Sequence, residues 1–283
     1  MQTKISAESD ASAASTRPMH IRTLEIDGQS LRVAIWPGEL TCRPPLLLCN
    51  GIGAGLELLG PLADALGGVH IVAFDVPGAG HSPAPRRPYR MWMMARLVSR
   101  MLDELGYGEV DVLGVSWGGT LAQQFALQNP RRCRRLILVA TMQGFPMIPP
   151  PLGVLWKFAT PRRLNDAEFR HEVAGDIYGG ALRARPDLMS NLGPLYARGA
   201  RRGYLFQQLA LLGWTSVPWL PLLRQRTLVM AGSDDPVVPL INAKFLARLI
   251  RRSQLHVYDD GHLFLVTNAS AAGRIVDEFL QAN

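Results

Sequence analysis

The 283-residue sequence contains no apolar run of about eighteen residues, the length a membrane-crossing helix needs, and this excludes a transmembrane helix. Its first residues, Met1 to Arg17, are rich in Ser and Ala but have no apolar stretch of the kind a secretory signal carries. The expectation is a disordered tail over residues 1–18 of a cytoplasmic protein. Cysteine is scarce, with 3 in all. Cys42, Cys49 and Cys133 are odd in number and lack metal-ligand spacing, so they read as reduced thiols rather than a disulfide framework or a metal site. Charged residues make up only 19%, and lysine is nearly absent; the formal net charge of +7 comes almost wholly from arginine. A basic balance raises nucleic acid as a partner. No nucleic-acid motif is present, however, and the arginines are scattered in pairs such as Arg86-Arg87, Arg162-Arg163 and Arg251-Arg252. The expectation is no nucleic acid, and a basic surface that is solvated or meets an anionic coat.

What the chain does have is a strand, a tight turn and a helix around one serine. Val110, Val112, Leu113 and Val115 form the short β-branched run of a strand buried on both faces. Gly114-Val-Ser-Trp-Gly118 follows, reading G-x-S-x-G, and Thr120 to Leu127 has helical spacing up to Asn129-Pro130. This is the context in which a serine is presented on a strained elbow. Glycines on each side keep side chains out of a crowded turn, and the helix start puts the Trp117 N–H beside the serine.

The remaining chain alternates strands and helices. Ile21–Asp27 and Leu31–Trp36 flank Gly28-Gln29 as a hairpin, and Pro45–Cys49 and Val69–Phe74 are short buried strands. Helices are expected over Leu56–Leu66 and Tyr89–Leu105, and a strand over Arg135–Ala140. From Gln143 to Arg224 the alternation stops. That stretch carries Trp156, Phe158, Tyr178, Tyr196, Tyr204, Phe206, Trp214 and Trp219 among short helical pieces, with ten Lys or Arg against five Asp or Glu. Alternation resumes with strands at Thr227–Ala231 and Gln254–Tyr258 and helices at Leu240–Leu249 and Ala269–Leu280. The architecture expected is α/β: a mostly parallel, doubly wound sheet over 19–142 and 225–283, interrupted by a helical lid over 143–224.

A serine nucleophile needs a base, and the base needs an orienting acid. His262, in Asp259-Asp-Gly-His-Leu-Phe264 just past the last strand, is the candidate base, with His81 its competitor. The strand ending at Ala231 runs into Gly-Ser-Asp-Asp-Pro236, which offers Asp234 and Asp235; Asp235 is preferred, while capping of the next helix is the structural alternative for either. The order Ser116, Asp235, His262 is the one expected for an α/β-hydrolase. Two N–H donors must meet the oxyanion. They are expected from Trp117 and from Ile52 in Asn50-Gly-Ile-Gly, with Asn50 tying that loop down. Asp75, Gly80 and Ser82 read as loop architecture, and no Cys, His or acidic cluster calls for a metal or cofactor.

At these motifs the chain resembles the α/β-hydrolase family. More narrowly it is similar to the intracellular depolymerases of medium-chain-length poly(3-hydroxyalkanoates). The matching segments include Asn50-Gly-Ile-Gly-Ala54, Ile71-Val-Ala-Phe-Asp-Val-Pro-Gly78, Val115-Ser-Trp-Gly-Gly119 and Ala122-Gln-Gln-Phe-Ala126. Others are Ile177-Tyr-Gly-Gly180, Leu212-Gly-Trp-Thr-Ser216, Pro239-Leu-Ile-Asn242 and Asp259–Phe264. The resemblance runs from Ile21 to Leu280. It implies a triad of Ser116, Asp235 and His262 and a storage polyester as substrate, met at a granule surface by the lid. The density of aromatics in the insertion makes Trp214 and Trp219 candidate lid contacts, with core packing the alternative reading for each. A soluble esterase, a lactonase or a 3-hydroxyacyl transferase on the same fold remains the alternative, as does a non-catalytic granule binder.

Overall fold

The computed structural model describes residues 15–38, 43–160, 162, 166–192 and 201–282. Its strands are β1 (His20–Ile26), β2 (Gln29–Trp36), β3 (Leu46–Cys49), β4 (Ile71–Phe74), β5 (Val110–Val115), β6 (Cys133–Val139), β7 (Arg226–Gly232) and β8 (Ser253–Tyr258). They form one sheet in the order β1-β2-β4-β3-β5-β6-β7-β8. The β1–β2 and β2–β4 pairs are antiparallel, and every pair from β4 to β8 is parallel. Strands covered on both faces should be apolar throughout rather than alternating. β3 and β4 are buried at every residue, whereas the edge strand β8 is only partly covered.

Alternate residues of the central strands feed two cores. Leu47, Cys49, Val110 and Val112 pack with α2 (Met91–Glu104), α3 (Trp117–Gln128) and α9 (Leu240–Leu249) on one face. Leu46, Leu48 and Leu113 pack with α1 (Gly60–Ala65) and α11 (Ala269–Gln281) on the other. Each fully buried Leu or Val contributes about 1.5–3 kcal/mol, so these two layers dominate the stability. Between β6 and β7 the chain forms α4 (Leu152–Ala159), α5 (Ala167–Tyr178), α6 (Gly180–Ala184), α7 (Leu188–Leu192) and α8 (Arg201–Leu211). A third apolar cluster joins this inserted region to the segments after β3, β7 and β8: Val173, Ile177, Tyr178 and Leu182 meet Ala54, Leu58, Val237 and Leu263. Among the described residues no helix is long and apolar enough to cross a membrane.

Several expectations shift. The hairpin turns at Asp27-Gly28, with φ of 53° and 77°, so Gln29 already belongs to β2; paired positive φ values match the right-handed twist of the strands. The helix expected over Leu56–Leu66 splits into a 3₁₀ turn at Leu56–Leu59 and α1, with Pro61 in the first turn of the α-helix, where its missing N–H costs nothing. A short helix not expected at all, α10 (Phe264–Thr267), follows the His262 loop. Part of the expected tail is anchored: Ser15 Oγ and Arg17 N both donate to Asp64 Oδ1, and the Arg17 guanidinium donates to the Ala63 and Leu66 carbonyls. The rest of that tail, Cys42 and Tyr196 lie outside the described residues. Trp214 and Trp219, expected as lid contacts for polymer, are half-buried and pack edge to face with ring centroids 6.1 Å apart. Trp214 Nε1 also donates to Gln124 Oε1 at 2.8 Å. The lid tryptophan that faces solvent is Trp156.

Candidate active site

Ser116 sits between β5 and α3 with φ 53° and ψ −117°, a conformation that costs a side-chain-bearing residue about 1–3 kcal/mol and survives only where neighbours enforce it. The enforcement is visible on all sides. Ser116 N donates to Val139 O at 2.8 Å, and Ser116 O accepts from Gly119 N at 2.9 Å and from Thr141 Oγ1 at 2.6 Å. A Cβ on Gly114 would lie 2.3 Å from Gly118 O, and one on Gly118 would lie 2.1 Å from Cys49 O. Both glycines of the G-x-S-x-G sequence are therefore required by closeness of backbone to backbone. The Ser116 side chain does not cap α3. Its hydroxyl is left for other partners.

The loops after β7 and β8 bring an acid to a base. His262 Nδ1 lies 2.7 Å from Asp235 Oδ2, and both side chains are almost wholly buried. The other carboxylate oxygen, Oδ1, accepts from Val237 N at 3.0 Å and Val238 N at 2.9 Å. Asp235 thus caps a turn with one oxygen and holds the imidazole with the other, so the two roles weighed for it coexist. His262 lines a cavity of about 20 Å³ together with Asn50, of the loop after β3, and Val115, the residue before Ser116. The Tyr178 ring stacks on it, centroids 6.4 Å apart, and Tyr178 O accepts from His262 N at 2.7 Å. Asp260 braces the same loop, accepting from Gly261 N and Ala181 N with Oδ1 and from Thr267 Oγ1 with Oδ2.

The rejected alternatives have other work. Asp234 accepts from Gly180 N at 2.8 Å and pairs with Arg183 of α6. Its carboxyl is held below the ordinary aspartate value: partial burial pushes upward, but the Gly180 N–H and Arg183 outweigh it. His81 is exposed, with Nδ1 3.0 Å from Arg32 Nη1. Asp75 is a loop organiser, accepting from Leu56 N and His81 N; burial raises its pKa against those bonds and Arg32. A Cβ on Gly80 would fall 2.2 Å from that carboxylate, and Ser82 Oγ accepts from Arg32 N.

The loop after β3 is also built as expected. Asn50 Nδ2 donates to Gly55 O at 2.6 Å, and Asn50 Oδ1 accepts from Gly51 N at 2.8 Å. Gly53 N donates to Gln207 Oε1 of α8 at 2.7 Å. Between these two engaged amides, the Ile52 N–H has no acceptor among the described residues. Gln207 also accepts from Trp117 Nε1 through its backbone carbonyl at 2.9 Å. Nothing in the sequence marks Gln207 or the Gly179-Gly180 pair as neighbours of the site, since both reach it only through the folded lid. The described residues contain no group of three or more His, Cys, Asp or Glu side chains arranged to hold a metal ion.

Comparison with known proteins identifies the family. The profile described as "alpha/beta hydrolase fold" matches residues 44–269. The chain is 50% identical over 266 residues to the poly(3-hydroxyalkanoate) depolymerase of Ectopseudomonas oleovorans, an alignment spanning 94% of each chain. It is 31% identical over 226 residues to a 2-hydroxymuconate semialdehyde hydrolase of Pseudomonas putida, spanning 74% of this chain and 76% of the relative. Among solved structures, the enol-lactonase from Burkholderia xenovorans LB400 superposes with a TM-score of 0.79 at 22% identity, covering 92% of this chain and all of that one, a likeness of fold. With the parallel sheet, the serine elbow and the loop-borne Asp–His pair in place, the chain belongs to the α/β-hydrolase family.

Proposed function

We propose that this protein is a serine esterase that cleaves the ester bonds of poly(3-hydroxyalkanoate), with medium-length side chains the preferred form, through an acyl-enzyme on Ser116. The observation that carries the chemistry is the buried Asp235–His262 hydrogen bond in a fold that presents Ser116 on a strained elbow. With its Nδ1 proton held on Asp235, His262 has Nε2 as its basic nitrogen. That nitrogen takes the Ser116 proton, and Oγ attacks the ester carbonyl. The tetrahedral oxyanion is met by the N–H groups of Ile52 and Trp117, the latter at the positive end of α3. Collapse breaks the ester C–O bond, and His262 returns the proton to the departing hydroxyl of the polymer. Water, deprotonated by His262, then attacks the acyl-enzyme and frees the 3-hydroxyacyl carboxylate and the serine.

The polyester as substrate rests on the relative that is 50% identical over nearly the whole chain. We place the enzyme in the cytoplasm, at the surface of storage granules. An insoluble polymer demands a contact surface, and α4 supplies one: Leu152, Leu155 and Trp156 stand on one helical face, and none of the residues of α4 is buried. The test is incubation of the wild-type protein with purified polyester granules, followed by analysis of soluble products. Release of 3-hydroxyacids or their short oligomers supports the reading. No release from granules, with rapid hydrolysis of small esters, refutes the polymer assignment.

A further inference from the structure

We propose that Gln207, carried by the lid helix α8, is the positioning residue of the oxyanion hole and holds both of its arms in register; the inference rests on the esterase reading above. The two arms come from distant parts of the chain, the loop after β3 and the start of α3. The described structure joins them at one residue. Gln207 Oε1 accepts from Gly53 N at 2.7 Å, fixing the peptide that follows the Ile52 N–H. Gln207 O accepts from the Trp117 indole Nε1 at 2.9 Å, fixing the side chain whose backbone N–H is the other donor. Gln207 is completely buried, as are both bonds, so neither is weakened by competing water.

The amide orientation is fixed by its partner. Gly53 N–H is a donor, so the oxygen must face it; a flipped amide would set two donors together. Nε2 is then a buried donor with no hydrogen-bond partner of normal geometry among the described residues. A donor buried without an acceptor is unfavourable. A residue chosen for packing alone would be leucine here. The helix that bears Gln207 is itself seated by close backbone contact. A Cβ on Gly203 would lie 2.1 Å from Gly78 O, and one on Gly78 would lie 2.4 Å from the Gly203 Cα. The lid therefore enters the catalytic apparatus as a brace for charge stabilisation, in addition to covering the site.

The test measures catalysis per active serine. Wild type, Gln207→Leu and Trp117→Phe are titrated with a fluorophosphonate to count reactive Ser116. The kcat and KM for a soluble 4-nitrophenyl ester and the affinity for an alkyl boronic acid, which places a tetrahedral anion in the hole, are then measured. Loss of one oxyanion donor costs about 10²–10³ in kcat, so loosening of the hole should cost roughly 10–100-fold. Expected is that fall in kcat per titrated site in Gln207→Leu, a parallel fall in boronate affinity, and KM within about threefold of wild type. Trp117→Phe, which removes the indole N–H together with part of the buried ring, should also lose kcat per titrated site and boronate affinity. It carries the test alone if Gln207→Leu does not fold. Wild-type kcat per site and boronate affinity in the folded variants would overturn the proposal. If wild type itself fails to react with the fluorophosphonate, the esterase reading is what falls.

Discussion

At the scale of single residues, the elbow and the Asp–His pair make opposite demands that a substitution can separate. Ser116→Ala removes one oxygen from a position whose backbone is held by Val139, Gly119 and Thr141, so folding should survive. Ester hydrolysis should fall by about 10⁴-fold or more, as for other triad nucleophiles; activity above a tenth of wild type would remove Ser116 from the mechanism. The two adjacent aspartates differ more sharply. Asp235→Asn presents an amide to His262 Nδ1 and selects the wrong tautomer, for which a loss of roughly 10⁴ in kcat is expected. Asp234→Asn disturbs only the Gly180 and Arg183 contacts and should leave kcat within a few-fold. Comparable losses at the two positions would reverse the assignment. The Asp234 contacts should also depend on pH. Because the folded carboxyl titrates below its unfolded value, the contribution is present above the ordinary aspartate pKa and is lost as pH falls through the lower folded one. Acid unfolding of Asp234→Asn should therefore begin at the same pH as wild type or higher, but with a shallower slope.

At the scale of elements, the inserted region is fastened to the Asp and His loops by contacts with no room for a methyl group. A Cβ on Gly180 would lie 1.9 Å from Gly261 N and 2.2 Å from Asp260 Oδ1, and its φ of 46° is unfavourable for other residues. Gly180→Ala should cost about 1–3 kcal/mol by overpacking and reduce kcat as the His262 loop moves. Gly153, on the first turn of α4, has nothing within 4 Å of a built Cβ. Gly153→Ala should leave the melting temperature unchanged or raise it, since Ala is favoured over Gly in a helix by about 0.5–1 kcal/mol. Paired thermal melts and esterase assays check both; similar melts for the two variants would refute the fastening. These contacts also show where sequence reasoning stops. Parallel strands such as β3 and β5 were legible because burial on both faces demands unbroken apolar runs. The elbow, Asp235 and His262 were legible because each closes a strand within a few residues. Gln207 and Gly180 reach the site from far along the chain, and no local pattern encodes that approach. Likewise, the aromatic density between Trp156 and Trp219 could be counted from the sequence, but which rings face water is decided by packing.

At the scale of the whole molecule, the start of the insertion leaves large apolar side chains exposed to solvent. Leu152 is 84% exposed and Trp156 80%, with Phe145 at 78% on the segment leading into α4. A helix normally turns its apolar stripe inward, so residues 152, 155 and 156 facing solvent together are the surface we propose for adsorption to a polyester. Such a face should control how much enzyme reaches the polymer and leave bond cleavage alone, because Ser116, Asp235 and His262 are held by other elements. The double variant Leu152→Ala, Trp156→Ala should then lose most of its turnover of granules while hydrolysing a short 4-nitrophenyl ester at the wild-type rate. Its melting temperature should be unchanged, since these side chains bury little on folding. Trp214→Ala is the contrast. That ring packs on Trp219 and its indole donates to Gln124, so truncation opens a cavity and breaks a hydrogen bond. Full burial would make the cost about 3–5 kcal/mol, and partial burial makes it less; activity on both substrates should fall along with the melting temperature. Kinetics on granules and on the soluble ester, with a thermal melt for each variant, separate the two behaviours. If the α4 variant lost both activities in proportion, or kept full turnover of granules, the polymer would have to meet another face.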